Sequence, residues 1–445
     1  MAETSPGDGR IAWAAVLLVA AAVVLGGASR ENPVRLALVE LAALPLGVLA
    51  LRRWISSGVP RQLRFPVAML GVLAAIPLIQ LVPLPPDVWS AFPGQGPRIE
   101  ALGLAGLPLG WRGLSLAPSE TGNAVLALTP PIAMFLGTPL LDARARERIV
   151  VAWIGLTGVG LGLGMAQLAS PGGGIAYPYA TTNLGSLVGW FANRNHEAGC
   201  LLATLPFAAA LLGMQTHDAP VWRRWALGGA CGLIVVALAV VRSRAGVVLG
   251  APVLAASIAL VWSGYRQETR KRTTAMIGLG AAGAIALVAL AASSPALERF
   301  TRPTGAEFRF EAWPVVAKAA QDHLPLGAGV GAFDRVFRAV EPLKLVAAHY
   351  FNHAHNDYLE TWLETGWLGV ALTLAFAAWG AVAAVTAWRG GDLMARAAGI
   401  AVAVLLAQSC VDYPLRTETL AVWFAFCCGL LVKRDGSREI ASPVA

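Results

Sequence analysis

The sequence predicts an all-α, polytopic membrane protein of about 12 transmembrane helices, with a large periplasmic loop between helices 9 and 10. Hydrophobic residues make up 56% of the 445 residues and charged residues only 13%, and the mean hydropathy is +0.62. A soluble globular protein of this composition would have too little polar surface to cover itself. A helix of about 20 mostly apolar residues spans a bilayer, so each apolar stretch near that length is a candidate span. The candidate stretches are 11–28, 34–51, 65–84, 122–141, 149–169, 196–214, 225–241, 245–263, 273–292, 358–385, 397–411 and 417–432.

The distribution of lysine and arginine predicts which side of the membrane each loop faces, because short cytoplasmic loops are enriched in positive charge. With the N-terminus in the cytoplasm, 19 of the 34 lysines and arginines fall in inner segments. Seven of the 15 outer ones lie in the long loop 293–357, and loops of that length cross the membrane largely regardless of charge. We therefore expect both termini to be cytoplasmic. The net charge of +8 then requires no nucleic-acid partner.

The chain is expected to form a single membrane domain over 1–445 with two outer excursions. The first outer loop, 85–121, is rich in proline and glycine and should lie at the interface as an irregular or partly helical segment. The large periplasmic loop, 293–357, is longer than a simple connector. It should contain a helix around 311–322, a glycine-rich turn at 327–331 and an amphipathic stretch around 333–341.

Four arginines at predicted outer helix ends or in the outer loops are candidates for binding an anion. Arg242 and Arg244 flank a serine in a short turn between two spans, Arg194 precedes the sixth span, and Arg309 lies in the large loop. Charges at membrane depth are costly and are usually functional, and guanidinium groups bind phosphate oxygens bidentately. The arrangement favours a diphosphate site.

Each arginine also has a simpler interpretation. Arg242 and Arg244 could extend to the outer headgroups, and Arg194 could be a solvated loop charge. Arg309 could pair with Glu307 or Glu311.

The segment around His355 carries the other candidate residues. Asp357 and Glu360 resemble a helix N-cap with its capping box, so we expect the tenth span to begin at Asp357. His355 then lies at a helix N-terminus, where the helix and nearby arginines should lower its pKa and keep it in the neutral form that a general base requires.

A single interfacial histidine is more often only a hydrogen-bonding residue, but His349, His353 and His355 fall within seven residues. The His-x-His pair and Asp357 could instead bind zinc. We rank that alternative lower because no His-Glu-x-x-His pattern is present in the sequence.

The run from His355-Asn356 through nine residues to Gly366 and then Gly369 resembles the signature of the O-antigen ligase family. Arg244, in a Ser-Arg-x-Gly context, resembles the family's outer arginine, and Arg309 resembles the arginine that opens its large periplasmic loop. The run 322–327 is similar to the family's Asp-His-Pro-Leu-x-Gly stretch, with one inserted leucine. The resemblance covers about 190–370, which we expect to form the O-antigen ligase-like core.

This resemblance implies a metal-independent, inverting glycosyltransferase of the bacterial inner membrane that uses no cofactor. The donor would be a glycan on undecaprenyl diphosphate and the acceptor a sugar, with lipid A–core favoured, in contact with membrane lipids. His355 would be the catalytic residue. The diphosphate would be bound by Arg244 and Arg309, to which we add Arg242 and Arg194, and the supporting residues would be Asn356, His353 and Glu360.

Other functions stay open on the sequence alone. An O-antigen or exopolysaccharide polymerase and a protein O-oligosaccharyltransferase would share the same family features. A lipid-linked oligosaccharide transporter is the alternative from a different class, but it would be expected to carry charge along several spans, whereas Glu40 is the one carboxylate in the middle of an apolar stretch.

Overall fold

The computed structural model describes residues 6–28, 32–216, 219–264, 306–346 and 351–432. Within these residues the chain is helical and contains no strand. The helices are α1 (Pro6–Leu25), α2 (Pro33–Ser57), α3 (Arg61–Leu81), α4 (Pro86–Trp89), α5 (Gly96–Leu104), α6 (Pro118–Ala127), α7 (Thr129–Gly137), α8 (Ala143–Ala169), α9 (Arg194–Gly213), α10 (Val221–Val241), α11 (Arg244–Gly264), α12 (Ala306–Asp322), α13 (Phe333–Val340), α14 (Asp357–Gly390), α15 (Leu393–Gln408) and α16 (Glu418–Leu431).

Most of the predicted spans coincide with observed helices. Eight helical segments of the described residues are long and apolar enough to cross a membrane. Seven of them are α2, α3, α8, α9, α10, α11 and α14, and the eighth, Pro118–Leu140, comprises α6, α7 and the turn that follows. Helices α1, α15 and α16 are shorter apolar helices. The predicted stretch 122–141 is divided between α6 and α7, where two consecutive prolines open α7 and cannot donate backbone hydrogen bonds. The ninth stretch, 273–292, lies outside the described residues. Within the described residues the all-helical fold with several candidate membrane spans is confirmed, whereas the count of 12 and the periplasmic position of the large loop stay predictions.

Helix α9 is the central element of the bundle. In the apolar 18-residue segment of α9, 94% of the residues are buried, compared with 11% to 39% in the corresponding segments of the other candidate spans. Helices α10, α11 and α15 pack around it, and its alanine and glycine residues allow close approach. The positions of its neighbours are therefore fixed relative to the N-terminus of α9.

Polar contacts at one end of the bundle link helices that are distant in sequence. Arg223 of α10 pairs with Glu147 of α8 at 3.4 Å, and Arg396 of α15 donates to Ser263 of α11 at 3.3 Å. We call this the arginine-rich end, because it carries Arg52, Arg53, Arg61, Arg64, Arg144, Arg146, Arg148, Arg223, Arg224, Arg389 and Arg396. The opposite end, where α9, α11 and α14 begin, is called the site end below.

The described part of the large loop has the predicted internal structure. It forms α12, a turn with positive φ at three glycines, and then α13. The turn docks on a kink in α14 at Gly366, which has φ 60° and ψ −147°. A Cβ on Gly366 would collide with the carbonyl oxygen of Pro325, and the next amide, of Trp367, donates to that oxygen at 3.0 Å. This glycine of the sequence signature therefore allows the loop to contact the helix.

The first outer loop packs against the large loop. The hydroxyl of Thr121 donates to the carbonyl of Val330 at 2.6 Å, and the amide of Leu116 donates to the carbonyl of Ala328 at 2.9 Å. A separate apolar cluster from α12, α13 and the start of α14, together with Ala117, lies beneath these contacts. The two excursions thus form one cap over the site end.

We predict that Gly366→Ala destabilises the protein by about 1–3 kcal/mol, because only glycine readily adopts this backbone conformation and the added methyl group meets a backbone oxygen. The measurement is the thermal unfolding midpoint of the purified protein in detergent. Gly380→Ala is the matched control in the same helix, since a Cβ there meets nothing within 4 Å. Equal midpoints for the two variants would contradict this role of Gly366.

Candidate functional site

Three helix N-termini meet at the site end. A Cβ on Gly246, in the first turn of α11, would lie 3.0 Å from Cβ of Ala198 in α9. The side-chain amide of Asn195 in α9 donates to the carboxylate of Asp412 at 2.6 Å, and the backbone N–H of Asp357, the first residue of α14, donates to the carbonyl of Ser409 at 2.9 Å. The positive dipole ends of the three helices point to this region and favour an anion there.

His355 lies in the loop just before α14 and is held by a carboxylate. Its Nδ1 lies 3.0 Å from Oδ1 of Asp412, and only 12% of its side chain is exposed. Its φ of 51° is rare for a residue other than glycine, and such strain concentrates at functional sites.

The electrostatic surroundings of His355 favour the neutral imidazole. Burial lowers its pKa, the hydrogen bond and charge of Asp412 act in the opposite direction, and the charge of Arg309 lowers it further. The predicted direction is thus confirmed, but burial rather than the helix N-terminus is the largest cause.

Asp412, which the sequence analysis missed, follows α15 and is almost completely buried, with 1% relative exposure. Burial acts to raise its pKa, but the hydrogen bond and charge of His355, with smaller effects from His196 and Arg309, outweigh it and leave the pKa below its usual range. Asp412 is therefore a carboxylate at neutral pH. A signal was present in the sequence, because Asp412 and Arg416 are charged residues in the short segment between the last two spans.

Tyr413 is the aromatic centre of the site. Its ring centroid lies 4.3 Å from that of His353, 4.9 Å from that of His355 and 5.0 Å from that of His196. Two of the three clustered histidines thus pack on one buried ring, together with a third from α9. His349 lies outside the described residues.

The N-cap of α14 differs from the prediction. The predicted cap, Asp357, is wrong: Asn356 is the N-cap, and its side-chain oxygen accepts from the amides of Tyr358 and Leu359, both at 3.1 Å. Both residue types are good N-caps. Asp357 instead accepts from the hydroxyl of Ser409 at 2.8 Å, so it is already engaged in tertiary contacts.

Arg416 pairs with three carboxylates on successive turns of α14. Its guanidinium lies 3.2 Å from Asp357, 3.1 Å from Glu360 and 3.1 Å from Glu364. These three residues and Arg416 are all largely buried. Burial alone would lower the pKa of Arg416, but the three carboxylates raise it above its usual range.

Glu360 also fixes the loop that carries the histidines. One of its oxygens lies 2.7 Å from Nδ1 of His353, and the other accepts from the amide of Ala354 at 2.8 Å. In addition, Trp313 of α12 donates to the carbonyl of Ala354 at 3.0 Å. The backbone of Ala354, just before His355, is therefore held by α14 through its N–H and by α12 through its carbonyl.

The predicted arginines lie in different elements of the site end. Arg309 lies close enough for its charge to act on His355, Asp412 and Tyr413. Arg194 and Arg244 are the first residues of α9 and α11, which begin side by side. Arg242 is exposed and turns the chain between α10 and α11 in a left-handed conformation.

Two of the simpler interpretations can be compared with the structure. Glu311 accepts from Lys344 at 2.9 Å, so its described ion pair is not with Arg309. For the zinc alternative, the described ranges contain no group of three or more His, Cys, Asp or Glu side chains placed to hold a metal ion.

Comparison with known families agrees with the resemblance seen in the sequence. The sequence model of the O-antigen ligase family matches residues 221–374, about a third of the chain. His355, Arg244 and Arg309 lie within the matched residues, whereas Arg194, Asp412 and Arg416 lie outside them. A search of curated proteins gives no match to the chain.

We predict that Arg416→Gln destabilises the protein by about 3–5 kcal/mol, because it leaves three buried carboxylates without their cation. The measurement is the thermal unfolding midpoint in detergent. Arg335→Gln is the control, since it breaks a more exposed pair with Glu120 and should cost less than about 1 kcal/mol. A midpoint for Arg416→Gln close to that of the control would show that the cluster is not a stabilising element.

Proposed function

We propose that this chain, whose residues 221–374 match the O-antigen ligase family, transfers a glycan from undecaprenyl diphosphate to a sugar hydroxyl, with lipid A–core the favoured acceptor. The observation that carries the proposal is the buried His355–Asp412 pair beside converging helix N-termini. The family match supports glycan transfer in general. The donor, the acceptor and the roles of individual residues are our proposal.

In this proposal His355 is the general base. Asp412 accepts the Nδ1–H of the imidazole, which leaves the lone pair of Nε2 to take the proton of the acceptor hydroxyl. Asp412 thus fixes the tautomer and orientation of His355 and stabilises the imidazolium that forms.

The diphosphate leaves as the acceptor oxygen bonds to the anomeric carbon. The carbon–oxygen bond to the carrier breaks, its electron pair goes to the diphosphate, and attack from the opposite side inverts the anomeric centre. Arg309 and Arg244, with Arg194 and Arg242, are proposed to stabilise the developing negative charge. These fixed cations, together with the helix N-termini, would fill the role that a metal ion plays in other glycosyltransferases.

Three residues support the base without touching the reacting atoms. Asn356 caps α14, and Glu360 connects the loop of His353 to Arg416. We propose that these contacts keep the strained backbone of His355 in place.

The site is proposed to face the periplasm from a bacterial inner membrane, with both termini in the cytoplasm. Its support is the positive-inside comparison of the sequence and the position of the site at the end opposite the arginine-rich end. A lipid-linked donor would then reach the cap from the outer leaflet.

We predict that His355→Ala lowers glycan transfer by about 10²–10⁴-fold, the usual contribution of a general base, and that Arg244→Ala also abolishes long-chain glycan. The measurement is the lipopolysaccharide or capsule ladder of a deletion strain complemented with each variant at matched membrane expression. Arg335→Ala, an arginine of the same loop that is ion-paired at the surface, should restore the wild-type ladder.

The intermediate that accumulates distinguishes the family activities. Full-length carrier-linked polymer indicates a ligase, single carrier-linked repeat units indicate a polymerase, and loss of glycan from a protein indicates an oligosaccharyltransferase. Normal ladders for both His355→Ala and Arg244→Ala, with normal insertion, would refute the assigned site.

We further predict that Asp412→Asn lowers the transfer rate and shifts the acidic limb of its pH profile to lower pH. The sign follows from the surroundings of His355: the carboxylate raises the pKa of that histidine, so its removal lets the imidazole stay neutral in more acidic solution. The measurement is the rate of transfer by the purified protein in nanodiscs between about pH 4.5 and pH 8.5, about two units on each side of the usual histidine pKa. An acidic limb that stays in place or moves upward would contradict the pairing of Asp412 with the base.

A further inference from the structure

A groove at the arginine-rich end, far from the candidate catalytic site, opens between α8 and α10. It encloses about 460 Å³. Its lining residues are Arg144, Glu147, Arg148, Val151, Ala152 and Arg223. We call it the α8–α10 groove.

The charged residues of the groove lie at its mouth. Arg144, Glu147 and Arg148 occupy the first two turns of α8, and Arg223 faces them from the first turn of α10. Arg223 pairs with Glu147 at 3.4 Å, and both side chains remain 39% to 44% exposed. Within the described segments neither Arg144 nor Arg148 has an ion-pair partner, so three guanidiniums and one carboxylate leave two positive charges unbalanced.

The groove has the layout of a lipid site. Val151 and Ala152 follow the arginines one turn further along α8 and give an apolar wall below the charges. Trp222 and Trp225 flank Arg223 and are 67% and 68% exposed. Tryptophans at this level are typical of the membrane interface. The charged mouth therefore lies at headgroup depth, with apolar surface toward the bilayer core.

The N-terminus of α10 adds to the positive potential at the groove, because a helix N-terminus favours negative charge. The N-terminus of α8 is already capped by the carboxylate of Asp142. Basic pockets between membrane helices on the cytoplasmic side are suited to lipid headgroups with more than one phosphate.

We propose that the α8–α10 groove binds an anionic phospholipid whose headgroup carries two phosphates, with one acyl chain against Val151 and Ala152. The two unbalanced positive charges match the two phosphates. This site is independent of the proposed transferase activity, because it lies at the opposite end of the bundle. The bound lipid would fill the space between two helices that both pack on α9.

The test is native mass spectrometry of the full-length protein released from nanodiscs that contain phosphatidylethanolamine, phosphatidylglycerol and cardiolipin. We expect retained cardiolipin on the wild type and about a fivefold loss of affinity for each of Arg144→Gln, Arg148→Gln and Arg223→Gln. Glu147→Gln should increase retention by a similar factor, because it removes the one negative charge of the groove. A purely structural role of the Arg223–Glu147 pair would instead reduce retention.

The matched control is the triple variant Arg52→Gln, Arg53→Gln and Arg61→Gln, which removes three exposed arginines from the same end of the bundle but outside the groove. Its cardiolipin retention should equal that of the wild type. Its counterpart combines Arg144→Gln, Arg148→Gln and Arg223→Gln, and equal losses in these two triple variants would show general electrostatic attraction and overturn the proposal. Phosphatidylglycerol retained as strongly as cardiolipin, or displacement of the lipid by inorganic phosphate, would also overturn it. Monodisperse elution of each variant confirms that it is folded.

Discussion

A charged group that is removed from water must be paired, and this constraint shapes the candidate site. Asp412, Arg416 and the carboxylates of α14 are all mostly buried at the site end. Unpaired, each of them would be strongly destabilising. The chain meets this constraint by bringing the segment between α15 and α16 against the start of α14, so that one short segment supplies both Asp412 for the histidine and Arg416 for the carboxylates.

Glu364 extends the same network to the cap. One of its oxygens binds Arg416, and the other accepts from the amide of Gly331 at 2.9 Å. Gln80 of α3 donates to the carbonyl of Glu364 and accepts from the amide of Val330. The position of the large loop, and with it Arg309, is therefore coupled to the cluster that holds the histidine loop. A continuous series of hydrogen bonds and ion pairs therefore connects the glycine turn to the loop that carries His355.

The sequence predicts the parts of this structure that depend on local pattern. Apolar length identifies the helices, and the His-Asn and Gly-x-x-Gly spacing identifies His355 and Gly366. The predicted N-cap of α14 is wrong by one residue, because Asn356 and Asp357 are adjacent and both residue types are good N-caps. The partner of His355 was missed because Asp412 is 57 residues away and nothing in the local pattern indicates that the two helix ends meet. The role of Gly366 was equally hidden, since its collision with Pro325 exists only in the folded chain.

The residues of the candidate site are not confined to the segment 221–374 that the family model matches. The family match ends within α14, yet the carboxylate that orients His355 and the guanidinium that neutralises Glu360 come from the segment after α15. Residues 221–374 alone would hold the histidine and three of the four candidate arginines but would leave Glu360 and Glu364 without Arg416. Such a fragment would place charges in a poorly solvated region with no partner, and the cost of a buried, unpaired charge is several kcal/mol (about 3–5). The candidate site therefore extends beyond the matched segment, to Arg194 at the start of α9 and to Asp412 and Arg416 before α16.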